Sequence, residues 1–437
     1  MTTNRPRRAL RGPALAALLA LAWATTSALT GAAPAAADTP PRVGIVCTTG
    51  AGGAAGSPIF DLTTRTGYIS LPDGNTAFMW GYSSGFDAFQ HPGPVLCVDE
   101  GDEVTVILHN TLPEDASIVF PGQEDVRADG AAVQPVLSGG QVTSLAPTAA
   151  AVDGTVSYTF TASKPGTYLY ESGTNPEKQV RMGLFGALIV RPTMGAAFAY
   201  DRADSQFTPT EEFLVLLSEI DPYQHAAVEA GTPFNMNSYH PRYWLINGRG
   251  FPDSIADNGA SWLPTQPYGA LASVNPFDAT THPQPGLARY LNVGTEDFPF
   301  HPHGNNGLVI GRDGRPLEGP TGQDLSFEKF AINIGPGQTW DVLFRWYDAE
   351  GYDPVSNPVP VTVPSLANQV IGVFYSGSPY LGSSQTLPPG TPTLNQCGEF
   401  YIISHNHALF QITSWGAIMT GPITYMRINP PPPNDCG

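Results

Sequence analysis

An all-β fold is predicted by three observations. Glycine and proline are abundant, at 47 and 44 of 437 residues. Charged residues make up only 13% of the chain. The apolar segments are short and cut by turn residues, with no long amphipathic helical pattern between them. In order, the strands fall at 103–109, 158–162, 167–170, 187–190, 213–217 and 340–345. In the first of these, Val104, Val106 and Leu108 alternate onto one face, as residues of period two do in a strand. Short strands at this density point to antiparallel sandwiches or barrels.

The N-terminus reads as a leader. Arg5, Arg7, Arg8 and Arg11 precede an apolar run from about Pro13 to Leu29, and Ala35, Ala36 and Ala37 stand ahead of Asp38. That is the order of a secretory signal peptide over residues 1–37, with secretion as the expected localisation and no stable membrane anchor once it is cleaved. Arg7-Arg8 hints at a twin-arginine route. Beyond residue 37 the chain carries 16 basic against 38 acidic residues, a formal charge of −22. Such a surface repels phosphate, so nucleic acid is excluded as a partner, while cations are favoured.

The four cysteines, Cys47, Cys97, Cys397 and Cys436, allow three pairings in an oxidising compartment. Cys47–Cys97 with Cys397–Cys436 is the preferred scheme, the second bond stapling the tail. About 400 residues exceed one core, so two domains are expected, 38–195 and 196–437, with the boundary between Pro192 and Asp204. An internal echo supports this. Gly166-Thr167-Tyr168-Leu169-Tyr170 is followed by the glycine-led run 183–190, and Gly398-Glu399-Phe400-Tyr401-Ile402 by Gly421-Pro422-Ile423-Thr424-Tyr425. Each half would close with a hairpin whose first strand carries site residues.

Four of the nine histidines occur in two His-X-His pairs, His301/His303 and His405/His407. In a strand, residues i and i+2 face the same side, so each pair can aim two imidazoles at one point. Neutral imidazole suits copper, zinc and other transition metals. His91, His109, His225, His240 and His282 have no partner at ligand spacing and read as surface or hydrogen-bonding residues. Met79, Trp80, Trp340 and Trp346 read as core.

Several further stretches share one order. They are Gly101-Asp102-Glu103-Val104-Thr105-Val106 with Asn110, Pro165 to Tyr170, Gly183 to Val190, Leu245-Ile246-Asn247-Gly248, Gly311-Arg312-Asp313-Gly314, Gly335 to Val342, and both histidine pairs. From about residue 60 to 430 the chain resembles the multicopper oxidases, built from cupredoxin domains. The resemblance implies two cupredoxin-like Greek-key domains and a copper cofactor.

Members of that family take electrons from a substrate at a type 1 copper bound by one cysteine and two histidines. They pass them to a trinuclear cluster bound by four His-X-His pairs. By the same resemblance, Val119 and Pro121 stand at the first pair, Glu171 and Gly173 at the second, and only the third and fourth keep their histidines. Phe298, Asn406, Gln411 and Gly416 occupy the type 1 positions, and a two-residue shift would put Ser404 in place of Asn406. Neither residue supplies a thiolate, so no type 1 copper and no blue colour are expected.

The resemblance also puts the four histidines opposite the first domain, where Glu171 would replace one lost ligand. His301, His303, His405, His407 and Glu171 are therefore the candidate ligands for copper, with zinc, manganese and non-haem iron compatible with the same donors. Three functions remain open: a copper-dependent oxidoreductase with an atypical cluster acting on a small molecule or metal ion, a non-catalytic extracellular metal-binding protein, and a partner-recognition scaffold. Two-domain relatives build their cluster between subunits, so a trimer is compatible.

Overall fold

The computed structural model describes residues 41–51, 53–348 and 400–429, together with the backbone of 360–361 and 393–394. The expected leader 1–37 and the expected Cys397–Cys436 bond lie outside the described residues. Pro40–Gly437 forms one compact unit.

Strands dominate, as the composition requires, and among the described residues there are two short α-helices, Pro176–Met182 and Pro222–Glu229. No helix among them is long and apolar enough to cross a membrane. Every predicted strand is present, for example Glu103–Asn110, where the valines and leucine at 104, 106 and 108 are buried and alternate with partly exposed residues. The hairpin Ile59–Ser70/Thr76–Ser84 escapes the alternation rule because the burial of its two strands is not strictly alternating.

Two sheets draw only on residues before 192. One runs in the order Cys47–Thr48, Val95–Asp99, Phe185–Arg191, Gly166–Glu171, and the other is built on Thr76–Ser84, Ile59–Ser70, Glu103–Asn110 and Gly154–Thr161. Their inward side chains make one core that includes Leu62, Tyr82, Val106, Tyr158 and Leu188. Two further sheets draw only on residues after 211. The larger is centred on Glu212–Ile220, Gly286–Asn292 and Thr339–Phe344. The smaller runs Ala272–Val274, Ile423–Ile428, Phe400–Asn406, Phe298–Pro302, Ile332–Ile334. Phe298, Phe300, Val309, Ile334 and Met426 belong to their core.

The sheets are not wholly antiparallel. Val95–Asp99 pairs in parallel with Phe185–Arg191, Ile59–Ser70 with Glu103–Asn110, and Glu212–Ile220 with Gly286–Asn292. The chain crosses between sheets instead of returning through hairpins, so strands remote in sequence become neighbours. The one disulfide among the described residues joins Cys47 to Cys97, tying the N-terminal arm to the strand beside it.

The two halves meet along an apolar seam in which Leu169, Phe185 and Ile189 pack with Leu214, Leu216 and Leu291. A buried charge network is set into it. Arg289, fully buried, donates from Nε to Glu212 (2.5 Å) and from Nη1 to Thr167 Oγ1 (2.8 Å). Thr167 Oγ1 donates to Asp341 (2.6 Å), and Arg191 clasps Glu212 with both nitrogens at 2.6 and 2.7 Å. The paired guanidinium charges hold the Glu212 carboxyl below its usual range although burial pushes it the other way.

One histidine corrects the sequence reading and another meets its hydrogen-bonding alternative. His91 and His225 are both buried, and among the described residues the His91 ring nitrogens have no hydrogen-bond partner. His225 Nδ1 meets the Phe78 carbonyl oxygen at 2.6 Å. The His91 ring packs edge-on to Phe185 and is pinched by Gly183, where any Cβ would come within 2.8 Å of it. Burial, then the neighbouring His225, lowers the pKa of His91 to about 3, and burial lowers that of His225 to about 4.

Arg289→Met strips the cation from two buried carboxylates and should cost about 3–5 kcal/mol in chemical denaturation, the range for breaking one side of a buried pair. The buried histidines set an acid limit. Their folded pKa values lie below the unfolded value of about 6.5, so the unfolded chain binds more protons below that pH and stability falls as pH drops from about 6.5 toward 4. Each histidine contributes a slope of up to about 1.4 kcal/mol per pH unit there, and His91→Leu should flatten it in urea titrations across pH.

Candidate metal centre

The four histidines come from two neighbouring strands of the smaller sheet. Phe298–Pro302 and Phe400–Asn406 pair antiparallel with His301 directly opposite His405. Alternation does the rest. Phe298, Phe300 and Pro302 point into the core, as do Ile402, Ser404 and Asn406, so His301 and His405 project from the other face. His303 and His407 follow the strand ends. Their amides donate across the pair, His303 N to the Ile403 carbonyl (3.1 Å) and His407 N to the Pro299 carbonyl (2.7 Å). Gly304 turns the chain away after His303 with φ +84°, and a Cβ there would meet Trp346 at 2.6 Å.

The rings form one cluster. His301 lies 4.5 Å from His303, 5.8 Å from His405 and 5.4 Å from His407 between centroids, and His303–His405 and His405–His407 are 5.1 and 5.4 Å. His301 Nδ1 meets the Phe330 carbonyl oxygen at 2.6 Å, and His405 Nδ1 meets the Asn406 carbonyl at 2.8 Å. A carbonyl accepts only from N–H, so these contacts put the proton on Nδ1 and leave the Nε2 lone pair free, the arrangement usual for a metal-ligating imidazole.

His303 Nε2 and His405 Nε2 are 3.0 Å apart. Two nitrogens bound to one ion at about 2.0–2.1 Å stand roughly 2.9–3.4 Å apart, between the right-angle and tetrahedral cases. The same separation serves an N–H···N hydrogen bond between the rings. As placed, no three His, Cys, Asp or Glu side chains among the described residues converge in ligating geometry. A four-imidazole shell therefore needs some of the rings to shift from the positions shown. Both His303 and His405 have lowered pKa values. Burial is the largest cause in each, followed for His303 by His301, His405 and His407; in His405 the Asn406 carbonyl opposes the shift. His303 and His405 are thus favoured as neutral, ligand-competent rings.

Glu171 does not join them. Its backbone bridges to Val119 by two hydrogen bonds, and its carboxyl interacts with Arg181 and Tyr82. Burial raises its pKa, against the pull of Arg181.

At the positions where the resemblance puts a type 1 copper, the structure has a closed polar knot. Asn406, fully buried, donates from its amide to Gln411 Oε1. Gln411 Nε2 donates to Glu296 (2.8 Å) and to the Asp297 carbonyl (3.2 Å), and Trp244 Nε1 donates to the same Glu296 oxygen (2.8 Å). Phe298 fills the adjacent core. Sequence reasoning identified these positions but not that the substitutes bond to one another, since side-chain pairing five residues apart beyond a strand end has no periodic signature.

Comparison with known proteins agrees with this architecture. The family model described as multicopper oxidase matches residues 65–195. A putative laccase-11 from Oryza sativa subsp. japonica is 25% identical over 328 residues, 71% of this chain and 52% of the relative. Copper resistance protein A of Escherichia coli is 31% identical over 173 residues, 38% of this chain and 25% of the relative. The chain spans about half the length, or less, of these relatives. Among solved structures, the multicopper oxidase mgLAC superposes with a TM-score of 0.56 at 19% identity, covering 84% of this chain and 85% of the other. A blue copper oxidase from Nitrosomonas europaea gives 0.55 at 18% identity with the same coverage.

Residues 65–195 thus match the multicopper oxidase model, and the chain has the cupredoxin-like fold of those proteins. Copper is the cofactor that this likeness implies, and the imidazole donor set fits copper.

Asn406→Cys restores a thiol where the family carries one, but Gln411 and Phe298 still stand in for the two imidazoles a blue site needs. Copper-loaded Asn406→Cys should therefore show no intense visible thiolate-to-copper absorption, and the loss of the Asn406–Gln411 bond should lower stability by about 1–3 kcal/mol in denaturant titration.

Proposed function

We propose that this chain is a secreted, copper-binding multicopper-oxidase-like protein of two cupredoxin-like domains, 38–195 and 196–437, that holds one ion through His301, His303, His405 and His407. The observation that carries the proposal is the 3.0 Å approach of His303 Nε2 to His405 Nε2 across paired strands. Support comes from the two Nδ1 contacts that present Nε2 lone pairs, and from the copper named in the Escherichia coli relative.

Copper bound there would supply Lewis acidity and one-electron chemistry. The chain's own residues would orient the imidazoles through the Phe330 and Asn406 carbonyls and leave the outer side of the site open to a small molecule or second metal ion. With Asn406, Gln411 and Glu296 closing the former electron inlet, binding for storage or delivery is favoured over turnover through a relay. An oxidoreductase reading retains support from the family likeness, and oxygen uptake by the loaded protein separates the two.

Metal analysis and electron paramagnetic resonance after copper loading and desalting should give one copper(II) per chain with nitrogen ligation, abolished when all four histidines are replaced by alanine. Less than about one tenth of an ion per chain, or equal loading of the quadruple variant, would overturn the proposal. Glu171→Gln should leave the copper affinity within about twofold, whereas a tenfold loss would make that carboxylate a ligand.

A further inference from the structure

A cleft of about 780 Å³, lined by none of the four clustered histidines, opens between segments of the two halves. One wall is the turn and strand carrying Leu71, Asp73, Asn75 and Phe78, another is the helix Pro222–Glu229, and the third is Tyr243 with the 414–417 turn. Its volume lies in the range of small-molecule sites.

Three features of the lining point to one kind of ligand. The first is aromatic surface held in the open. Trp415 is 48% exposed, and its ring stands 5.8 Å from Tyr223 and 6.0 Å from Tyr243 between centroids. Its backbone has φ +49°, followed by Gly416 at +83°. That is a costly conformation for a bulky residue, and its effect is to project the indole from the turn instead of folding it inward.

The second feature is a pair of carboxylates. Asp73 Oδ1 accepts from the Asn75 amide (3.1 Å) and serves the local turn. Its Oδ2 accepts from the Tyr243 hydroxyl (2.7 Å) and from Asn75 Nδ2 (2.8 Å). Glu229 accepts from the Tyr68 hydroxyl. These donors are neutral, and they leave both negative charges uncompensated.

The third feature is that no Lys or Arg lines the cleft among the described residues. The lining histidine, His225, is buried and kept neutral, and the chain as a whole carries a formal charge of −18. An anion would meet repulsion from every side. A neutral ligand would use the rings but gain no charge attraction from Asp73 and Glu229, at most a hydrogen bond.

We infer that this cleft binds an organic ammonium ion with an apolar body, its cationic end directed to Asp73 and Glu229 and its ring or chain laid on Trp415. Carboxylates and aromatic faces both attract a cation, and the ring quadrupole adds to the burial of the body. The inference is independent of the copper proposal, since it uses none of the four ligand histidines.

The test is calorimetric titration of the whole protein at neutral pH and low salt with phenethylammonium, and with 2-phenylethanol as the uncharged counterpart. Saturable one-site binding of the cation is expected, with the alcohol at least about tenfold weaker. Trp415→Ala and Glu229→Gln should each weaken the cation by about fivefold or more, and the quadruple histidine variant should bind it as well as the parent. Equal affinity for the alcohol, unchanged affinity in Trp415→Ala, absence of saturable binding, or loss of binding in the histidine variant would each overturn the inference. If a cleft variant does not fold, competition in the parent protein decides: displacement of phenethylammonium by tetramethylammonium supports the site, and failure to displace it refutes it.

Discussion

A guanidinium buried at zero exposure must be compensated on the spot, and the way Arg289 is compensated fixes how the two halves of this molecule meet. Its partners come from both sides of the seam: Glu212 and Asp341 from the second half, Thr167 from the first, with Arg191 of the first half completing the pairing of Glu212. Apolar contact between Leu169, Ile189, Leu214 and Leu291 supplies the driving force but tolerates sliding. The directional bonds to Arg289 do not, because any shift would leave a buried charge unpaired at a cost of several kcal/mol.

Much of the fold was legible because it rests on local rules. Period-two burial located Glu103–Asn110, and the repeated glycine-led segments marked paired strands, Gly166–Glu171 with Phe185–Arg191 and Phe400–Asn406 with Ile423–Ile428. The histidine cluster was legible for a related reason. Each His-X-His pair carries its own geometry, and once the two strands are neighbours the register His301 opposite His405 brings all four rings to one face.

What could not be read depends on contacts between remote segments. His91 has proline beside it and no ligand spacing, which looks like a surface residue, yet Gly183 and Phe185 enclose it from one remote part of the chain and Gly248 from another. Glu171 was assigned to the cluster by its place in a family pattern, which says nothing of the burial that raises its pKa or of the Arg181 charge that acts on it. The parallel strand pairs were missed because a crossover leaves no trace in alternation.

The two faces of the Phe400–Asn406 strand carry opposite consequences. On the inner face, an asparagine in place of a thiolate is not a simple loss, since Asn406, Gln411, Glu296 and Trp244 satisfy one another and the space is occupied by a stable hydrogen-bonded unit. Reversing that one residue would leave Gln411 short of a partner, so the inlet is closed by a network and not by a single substitution. On the outer face, nothing in the core constrains His301, His303, His405 or His407 to remain histidine. Four titratable rings crowded on half-exposed strands gain little stability for the fold, and in two of them burial, with the neighbouring rings adding to it, lowers the pKa. A cluster that packing does not require, on the face opposite this hydrogen-bonded unit, fits the proposed binding of an ion at the surface.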